Sequence, residues 1–83
     1  MIHKLKILPE YFKAVADGTK TFEIRYNDRG FKNGDFIILR EWDNGYSGRK
    51  IKAQITYILS NFEGLKDDYA VMAIKIVSKE VKK

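Results

Sequence analysis

One short segment carries residues whose types and spacing suit ligand chemistry. It reads Gly18-Thr19-Lys20-Thr21-Phe22-Glu23-Ile24-Arg25, so a lysine, a glutamate and an arginine lie within eight residues. Glu23 and Arg25 are two positions apart, which places both side chains on one face of a strand. They can pair with each other or converge on a ligand, and Lys20 can reach the same place. The alternative is a solvated polar face, because exposed charge pairs are frequent and contribute little.

Further basic and aromatic residues lie close to this segment or later in the chain. The run Arg49-Lys50-Ile51-Lys52 could bind phosphate groups, or it could protect an edge strand against aggregation. Arg29 could extend the surface with a phosphate contact, and Tyr26 could stack on a base. Tyr26 shares the face of Phe22 and Ile24, however, which favours packing in the core.

The remaining candidates have ordinary structural interpretations. His3 has no metal-binding partner nearby in sequence, and Asp67-Asp68 lacks the spacing of a calcium loop. Ser47 and Ser60 have no nucleophile motif around them. Trp42 stands at a strand end, where it either caps the fold or stacks on a base. The sequence therefore predicts neither a metal site nor a cofactor.

The hydrophobic pattern predicts the elements that position these residues. Alternation over His3–Ile7 predicts a strand, with Lys4 and Lys6 opposite the apolar side chains. Pro9 suits the first turn of a helix and Gly18 its end, which predicts an amphipathic helix over residues 9–17. Further strands are predicted over these ranges: 20–26, 36–42, 50–59 and 69–77.

The pattern also predicts which side chains face the core. The inner face of the helix is predicted to comprise Leu8, Phe12, Val15 and Ala16. The inward set of the fourth strand is predicted to comprise Ile51, Ala53, Ile55, Tyr57 and Leu59.

One helix among five short strands defines the expected fold class. The order β-α-β-β-β-β predicts an α+β, mostly β fold: a small antiparallel β-barrel with the helix after the first strand. A doubly wound sheet needs more helices than this chain provides. We expect a single domain over residues 1–77, followed by a charged and frayed tail over residues 78–83.

Composition restricts the partners and the compartment. The 83 residues carry 16 Lys and Arg against 11 Asp and Glu, a net charge of +5 that permits a polyanionic partner. This excess lies in the tail and in the 49–52 run, which argues against a uniformly basic coat for duplex binding. The absence of cysteine excludes disulfides and thiolate catalysis. Without a long apolar run or a signal-peptide core, the sequence predicts a cytoplasmic protein without membrane contact.

The segment described first resembles a known signature. Gly18, Lys20, Glu23 and Arg25 match the G-x-K-x-x-E-x-R pattern of the ASCH domain, a member of the PUA-like barrel superfamily. The run Phe31-Lys32-Asn33-Gly34-Asp35-Phe36 resembles the aromatic-x-x-Gly-Asp approach of that family to its next strand.

Residues 3–12 and 40–43 resemble a compact bacterial and phage branch of this family, described only as candidate RNA-binding proteins. The resemblance covers residues 3–76. It implies that the signature residues line a cleft between helix and barrel, where related domains hold RNA or a modified base.

The resemblance implies a division of roles in that cleft. Lys20 and Arg25 would contact phosphate, and Arg25 could instead grip or stack on a base. Glu23 would accept hydrogen bonds from a base amine or ring N–H. The predicted function is a non-catalytic RNA- or nucleotide-binding domain, monomeric or weakly dimeric. Its predicted binding residues are Lys20, Glu23, Arg25, Arg29, Arg49 and Lys50.

Two alternatives stay open. ASCH-like amidohydrolases that act on N4-acylated cytidine use a Lys, a Thr and a Glu. Lys20 matches their lysine, but Glu23 stands at the position of their threonine, three residues later. Thr21 could take a displaced role. The second alternative is a protein-interaction module linked to transcription, which only the family's occurrence in larger coactivators suggests.

Overall fold

The computed structural model describes residues 1–81. They form five strands and one short helix. In chain order they are β1 (Ile2–Ile7), α1 (Pro9–Ala16), β2 (Phe22–Tyr26), β3 (Phe36–Trp42), β4 (Tyr46–Ser60) and β5 (Tyr69–Glu80). The predicted order β-α-β-β-β-β and the mostly β fold class are confirmed. No helix among these residues has the length and apolar character of a membrane span.

The five strands form one sheet in the order β1-β3-β4-β5-β2. Most neighbours are antiparallel, but β1 and β3 run parallel, so the sheet is mixed. The parallel pair is possible because α1 and β2 lie between β1 and β3 in sequence and carry the chain back to the same end. The sheet curls into a half-barrel with β1 and β2 as its edge strands.

The core follows from strict alternation in β1, β3 and the first half of β4. It packs one face of α1 against the concave face of the sheet, and each large apolar side chain buried there contributes roughly 1.5–3 kcal/mol. The buried apolar residues are Leu5, Ile7, Phe12, Val15, Phe31, Ile37, Leu39, Ile51, Ala53, Ile55, Ala70, Met72 and Ile74.

The predicted inward set of β4 is wrong in its second half. Its first three members are fully buried, whereas Tyr57 and Leu59 are exposed. A β-bulge between Ile55 and Tyr57 shifts the register against β5, so the alternation changes phase. Ile58 therefore packs against the core in place of its two neighbours.

Several element bounds also differ from the predicted ones. The helix ends at Ala16, with Asp17 as its cap, and β2 begins at Phe22 because residues 20–21 complete the turn after the helix. β4 begins before the basic run, since the hairpin turn is tighter than its composition suggests. β5 continues to residue 80, so residues 78–80 of the predicted tail pair with residues 50–52. The predicted tail residues 82–83 lie outside the described residues.

Asp35 organises the beginning of β3. Its Oδ2 atom lies 2.9 Å from Nε2 of the buried His3 and accepts the backbone N–H of Lys32 at 3.1 Å. The His3 ring packs edge-on against Phe31, with 4.7 Å between ring centroids, so this histidine is part of the packed interior. The hydrogen bond with His3 is the main reason that the pKa of Asp35 lies below its usual value. Desolvation opposes this shift and the Lys32 N–H reinforces it.

The variant Asp35→Asn is expected to reduce the pH dependence of the unfolding free energy at acidic pH. A depressed folded-state pKa means that the carboxylate stabilises the fold above its unfolded-state pKa. This contribution is lost as the pH falls through the folded-state pKa. The difference in unfolding free energy between the native chain and the variant should therefore be largest near about pH 7 and shrink toward about pH 3. Urea unfolding across that range measures it, with the exposed-loop variant Asp67→Asn as control. A pH-independent difference would contradict the assignment.

Candidate functional site

The end of helix α1 positions the signature segment. Gly18 has a φ of +81°, which only glycine adopts without strain. The Gly18 N–H bonds to the Val15 carbonyl and the Thr19 N–H to the Ala14 carbonyl, the two bonds of a Schellman motif. The Lys20 N–H also bonds to Ala14, so the chain reverses beside the last helical turn. This reversal brings the lysine directly to the start of β2.

The variant Gly18→Ala is expected to lower the unfolding free energy by about 1–2 kcal/mol. An added Cβ would meet nothing within 4 Å, so the whole effect comes from the positive φ. Gly64→Ala is the matched control, because Gly64 has a φ of +92° and equally open surroundings in the loop before β5. Denaturant unfolding should give similar losses for both variants. Backbone amide NMR shifts of residues 20–25 should change with Gly18→Ala alone, and equal changes with both would contradict this role.

Glu23 lies buried between two cations. Its residue exposure is 4%, and each carboxylate oxygen accepts a hydrogen bond from a different basic side chain. Lys20 Nζ lies 2.5 Å from Oε1, and Arg25 Nε lies 2.8 Å from Oε2. A buried carboxylate is tolerated only with such compensation. The structure therefore brings together the three charged signature residues that the sequence singles out.

The charged side chains of β2, Glu23 and Arg25, lie on its inward face. Phe22, Ile24 and Tyr26 are exposed, so the predicted core packing of Tyr26 is wrong; its ring packs edge-on against Tyr69. The interpretation of Glu23 as part of a solvated face is equally wrong. The register explains both corrections, since Glu23 lies opposite the buried Met72 and the pleat turns paired residues to the same face.

An open cleft of about 680 Å³ lies between α1 and the two edge strands. Lys20, Glu23 and Arg25 line it together with apolar and aromatic side chains from the helix and both strands. Leu8 is among them and is half exposed, so its predicted place on the inner helix face is wrong. Lys6 and Tyr11 also line the cleft, although neither was predicted from the sequence as a binding residue. Tyr11 follows Leu8 by three positions, a spacing that places both on one side of the helix.

The cleft combines a positive charge with an aromatic wall. Lys20, Glu23 and Arg25 sum to +1. Within the described chain, Lys20 uses two of its three N–H donors, on Glu23 and on the Phe22 carbonyl. Arg25 uses two of its five. The Lys20 ammonium lies 4.9 Å from the Phe22 ring centroid and 5.9 Å from that of Tyr11. The arrangement can donate hydrogen bonds to an anion and pack a planar ring beside it.

Two arginines bridge the edge strands of the half-barrel. Arg25 donates to the Lys6 carbonyl at 2.7 Å, and Arg29 donates to the Lys4 carbonyl at 2.9 Å. These bonds occupy acceptors that β1 would otherwise expose along its free edge. Arg29 is thus engaged in the fold and does not line the cleft, and its phosphate contact stays a prediction.

The structure does not bring Arg49 or Lys50 into the cleft. Arg49 binds both oxygens of the buried Glu41, with Nε at 2.7 Å and a terminal nitrogen at 2.8 Å. Ser47 donates to the same carboxylate at 2.7 Å. Lys50 is exposed on the opposite face of β4, 4.0 Å from Glu80. Thr21, which the hydrolase alternative uses, is exposed and does not line the cleft either.

Comparisons with known proteins give two matches. A family model described as "Domain of unknown function (DUF3850)" matches residues 2–74. The chain is also similar to an Escherichia phage P2 protein described as "Uncharacterized 12.9 kDa protein in GpA 3′region". The two are 40% identical over 67 residues, which cover 80% of this chain and 62% of the phage protein. The chain thus spans less than two thirds of that relative's length.

Proposed function

The chain belongs to the family described as Domain of unknown function (DUF3850), and we propose that it is a non-catalytic domain that binds a nucleotide or RNA in its cleft. One observation carries the proposal: Lys20 and Arg25 hold a buried carboxylate and keep further N–H donors beside exposed aromatic rings. Phosphate takes such donors, and a base packs on such rings.

The buried carboxylate supports ligand recognition over a purely structural role. A buried ion pair often stabilises a fold no more than apolar residues of equal volume would, so stability alone does not explain the burial of Glu23. Glu23 instead fixes the positions of two cations at the cleft wall, which lowers the entropy that they lose on binding a phosphate. Each carboxylate oxygen also has a further lone pair for a base amine or ring N–H.

The resemblance to the ASCH domain adds separate support. Of the four residues that match its signature, Lys20, Glu23 and Arg25 line the cleft, and Gly18 shapes the turn before it. We therefore also propose that this chain is an ASCH-like member of the PUA-like superfamily.

The contacts of Glu23 favour binding over hydrolysis. Both oxygens already accept hydrogen bonds from cations, and these bonds compete with any attack of the carboxylate on a substrate. Thr21 lies outside the cleft lining and cannot replace it there. Neither observation supports the acyl-cytidine hydrolase alternative.

A binding panel tests the proposal. Cytidine, cytidine 5′-monophosphate, N4-acetylcytidine and a ten-nucleotide RNA are titrated into the protein at two salt concentrations. We expect the phosphate-bearing ligands to bind more tightly than the nucleosides, with an affinity that falls as salt rises. The absence of binding to every member at millimolar concentration would overturn the proposal. Hydrolysis of N4-acetylcytidine that Lys20→Ala abolishes would overturn its non-catalytic part.

A further inference from the structure

Five basic side chains share the outer face of β1, β3 and β4, on the side of the sheet opposite the core. They follow from the alternation of these strands, in which every second residue points away from α1. The strand register places Lys6, Arg40 and Lys50 in one row, and Lys4 and Lys52 flank Ile38 in the next. We call this set the basic face: Lys4, Lys6, Arg40, Lys50 and Lys52.

Few carboxylates neutralise the basic face. Among residues 1–81, one of its five side chains forms an ion pair: Lys50, which lies 4.0 Å from Glu80. Arg49, the neighbour of Lys50, points to the other side of β4 and binds Glu41 there. The predicted basic run is therefore divided between two faces, and its exposed half joins cations from two other strands.

Aromatic rings hold three of these cations in place. The Lys6 ammonium lies 4.7 Å from the Trp42 ring centroid. The Arg40 guanidinium lies 3.8 Å from the centroid of Tyr46, and the Lys52 ammonium lies 4.9 Å from that of Phe36. Cation–π contacts restrict the rotamers of long side chains, so less entropy is lost when an anion binds. A face that only kept the protein in solution would not need this ordering.

The basic face begins at the mouth of the cleft. Lys6 lines the cleft and also belongs to the first row of the face, and its carbonyl accepts the hydrogen bond from Arg25. Neighbouring strands are about 4.8 Å apart, so the row from β1 to β4 extends roughly 10 Å away from the cleft. A single nucleotide in the cleft cannot cover this row, but a polymer of phosphates can.

We infer that Lys6, Arg40, Lys50 and Lys52 bind the phosphate backbone of a single-stranded RNA, one nucleotide of which occupies the cleft. The inference rests on the proposed function and specifies that the ligand is a single-stranded RNA, not a free nucleotide. The complementary charge and the continuity with the cleft support a nucleic acid. A single strand fits because its unpaired base can enter the cleft without disruption of a duplex.

The test compares a ten-nucleotide RNA with cytidine 5′-monophosphate. The double variant Arg40→Gln/Lys52→Gln removes two charges from the basic face and leaves the cleft unchanged. We expect it to bind the RNA at least tenfold more weakly and the mononucleotide with unchanged affinity. The slope of log K against log salt should fall by about 1.4, or about 0.7 for each lost phosphate contact. Circular dichroism and thermal unfolding confirm that the variant is folded.

The matched control is Lys13→Gln/Lys66→Gln, which removes the same charge from two exposed lysines outside the basic face. RNA affinities that are equal in the two double variants would overturn the inference. So would binding of poly-glutamate with the same dependence on Arg40 and Lys52, because the ligand would then be an acidic protein segment.

The same data separate this inference from the proposed function. If the mononucleotide binds and the face variant binds RNA normally, the face is refuted and the cleft assignment stands. If the mononucleotide never binds but RNA binding depends on Arg40 and Lys52, the cleft assignment fails and phosphate binding by the face stands.

Discussion

Replacing Lys20 with alanine is expected to weaken the binding of a mononucleotide by about 10- to 100-fold. A charge-assisted hydrogen bond to phosphate contributes roughly 1.5–3 kcal/mol, and each 1.4 kcal/mol is a factor of ten in affinity. Lys20 also orders Glu23, so its removal affects both the phosphate and the base contact. Isothermal titration calorimetry with cytidine 5′-monophosphate measures the change.

Two further variants serve as controls for the Lys20→Ala measurement. Lys13→Ala removes an exposed lysine of α1 that pairs only at the surface, with Asp17, and it should leave the affinity unchanged. Lys20→Arg keeps the charge and should retain most of the binding. Equal affinities for Lys20→Ala and Lys13→Ala would show that net charge, and not the cleft, attracts the nucleotide.

The variant Arg49→Ala is expected to lower the unfolding free energy by about 2–4 kcal/mol. It removes a bidentate partner from Glu41, which is 4% exposed, and truncating one member of a buried pair typically costs roughly 3–5 kcal/mol. The expected loss begins below this typical range because the Arg49 side chain is 33% exposed. For a chain of this length, the loss is a large share of a total stability of roughly 4–12 kcal/mol. Urea unfolding measures it.

Lys50→Ala provides the comparison one residue later. Lys50 is exposed and lies 4.0 Å from Glu80, so its loss should change the stability by less than about 1 kcal/mol. Unfolding free energies of the two variants within about 0.5 kcal/mol of each other would contradict the structural role of Arg49. Under conditions where Arg49→Ala remains folded, its mononucleotide affinity should be unchanged.

The sequence pattern predicts the elements well because their signals are local. Pro9 and Gly18 mark the two ends of the helix, and the alternation in β1 and β3 marks their buried faces. The grouping of Lys20, Glu23 and Arg25 is also local, since only a turn and a short strand separate them. These features needed no knowledge of distant contacts.

The remaining features depend on pairing between distant strands. The bulge in β4 follows from its register against β5 and reverses the facing of Tyr57. The inward side of β2 follows from the position of Glu23 opposite Met72. Arg49 meets Glu41 only after the hairpin has set its register, which includes an irregularity between residues 40 and 42. Spacing within one segment contains none of this information.

The position of the bound nucleotide tests the central claim most directly. Backbone amide NMR shifts of the ¹⁵N-labelled protein are followed during titration with cytidine 5′-monophosphate. The proposed function predicts that the largest shift changes fall on Tyr11, Lys20 and residues 22–25, at the wall of the cleft. Changes confined to the basic face, or no changes at saturating nucleotide, would contradict it.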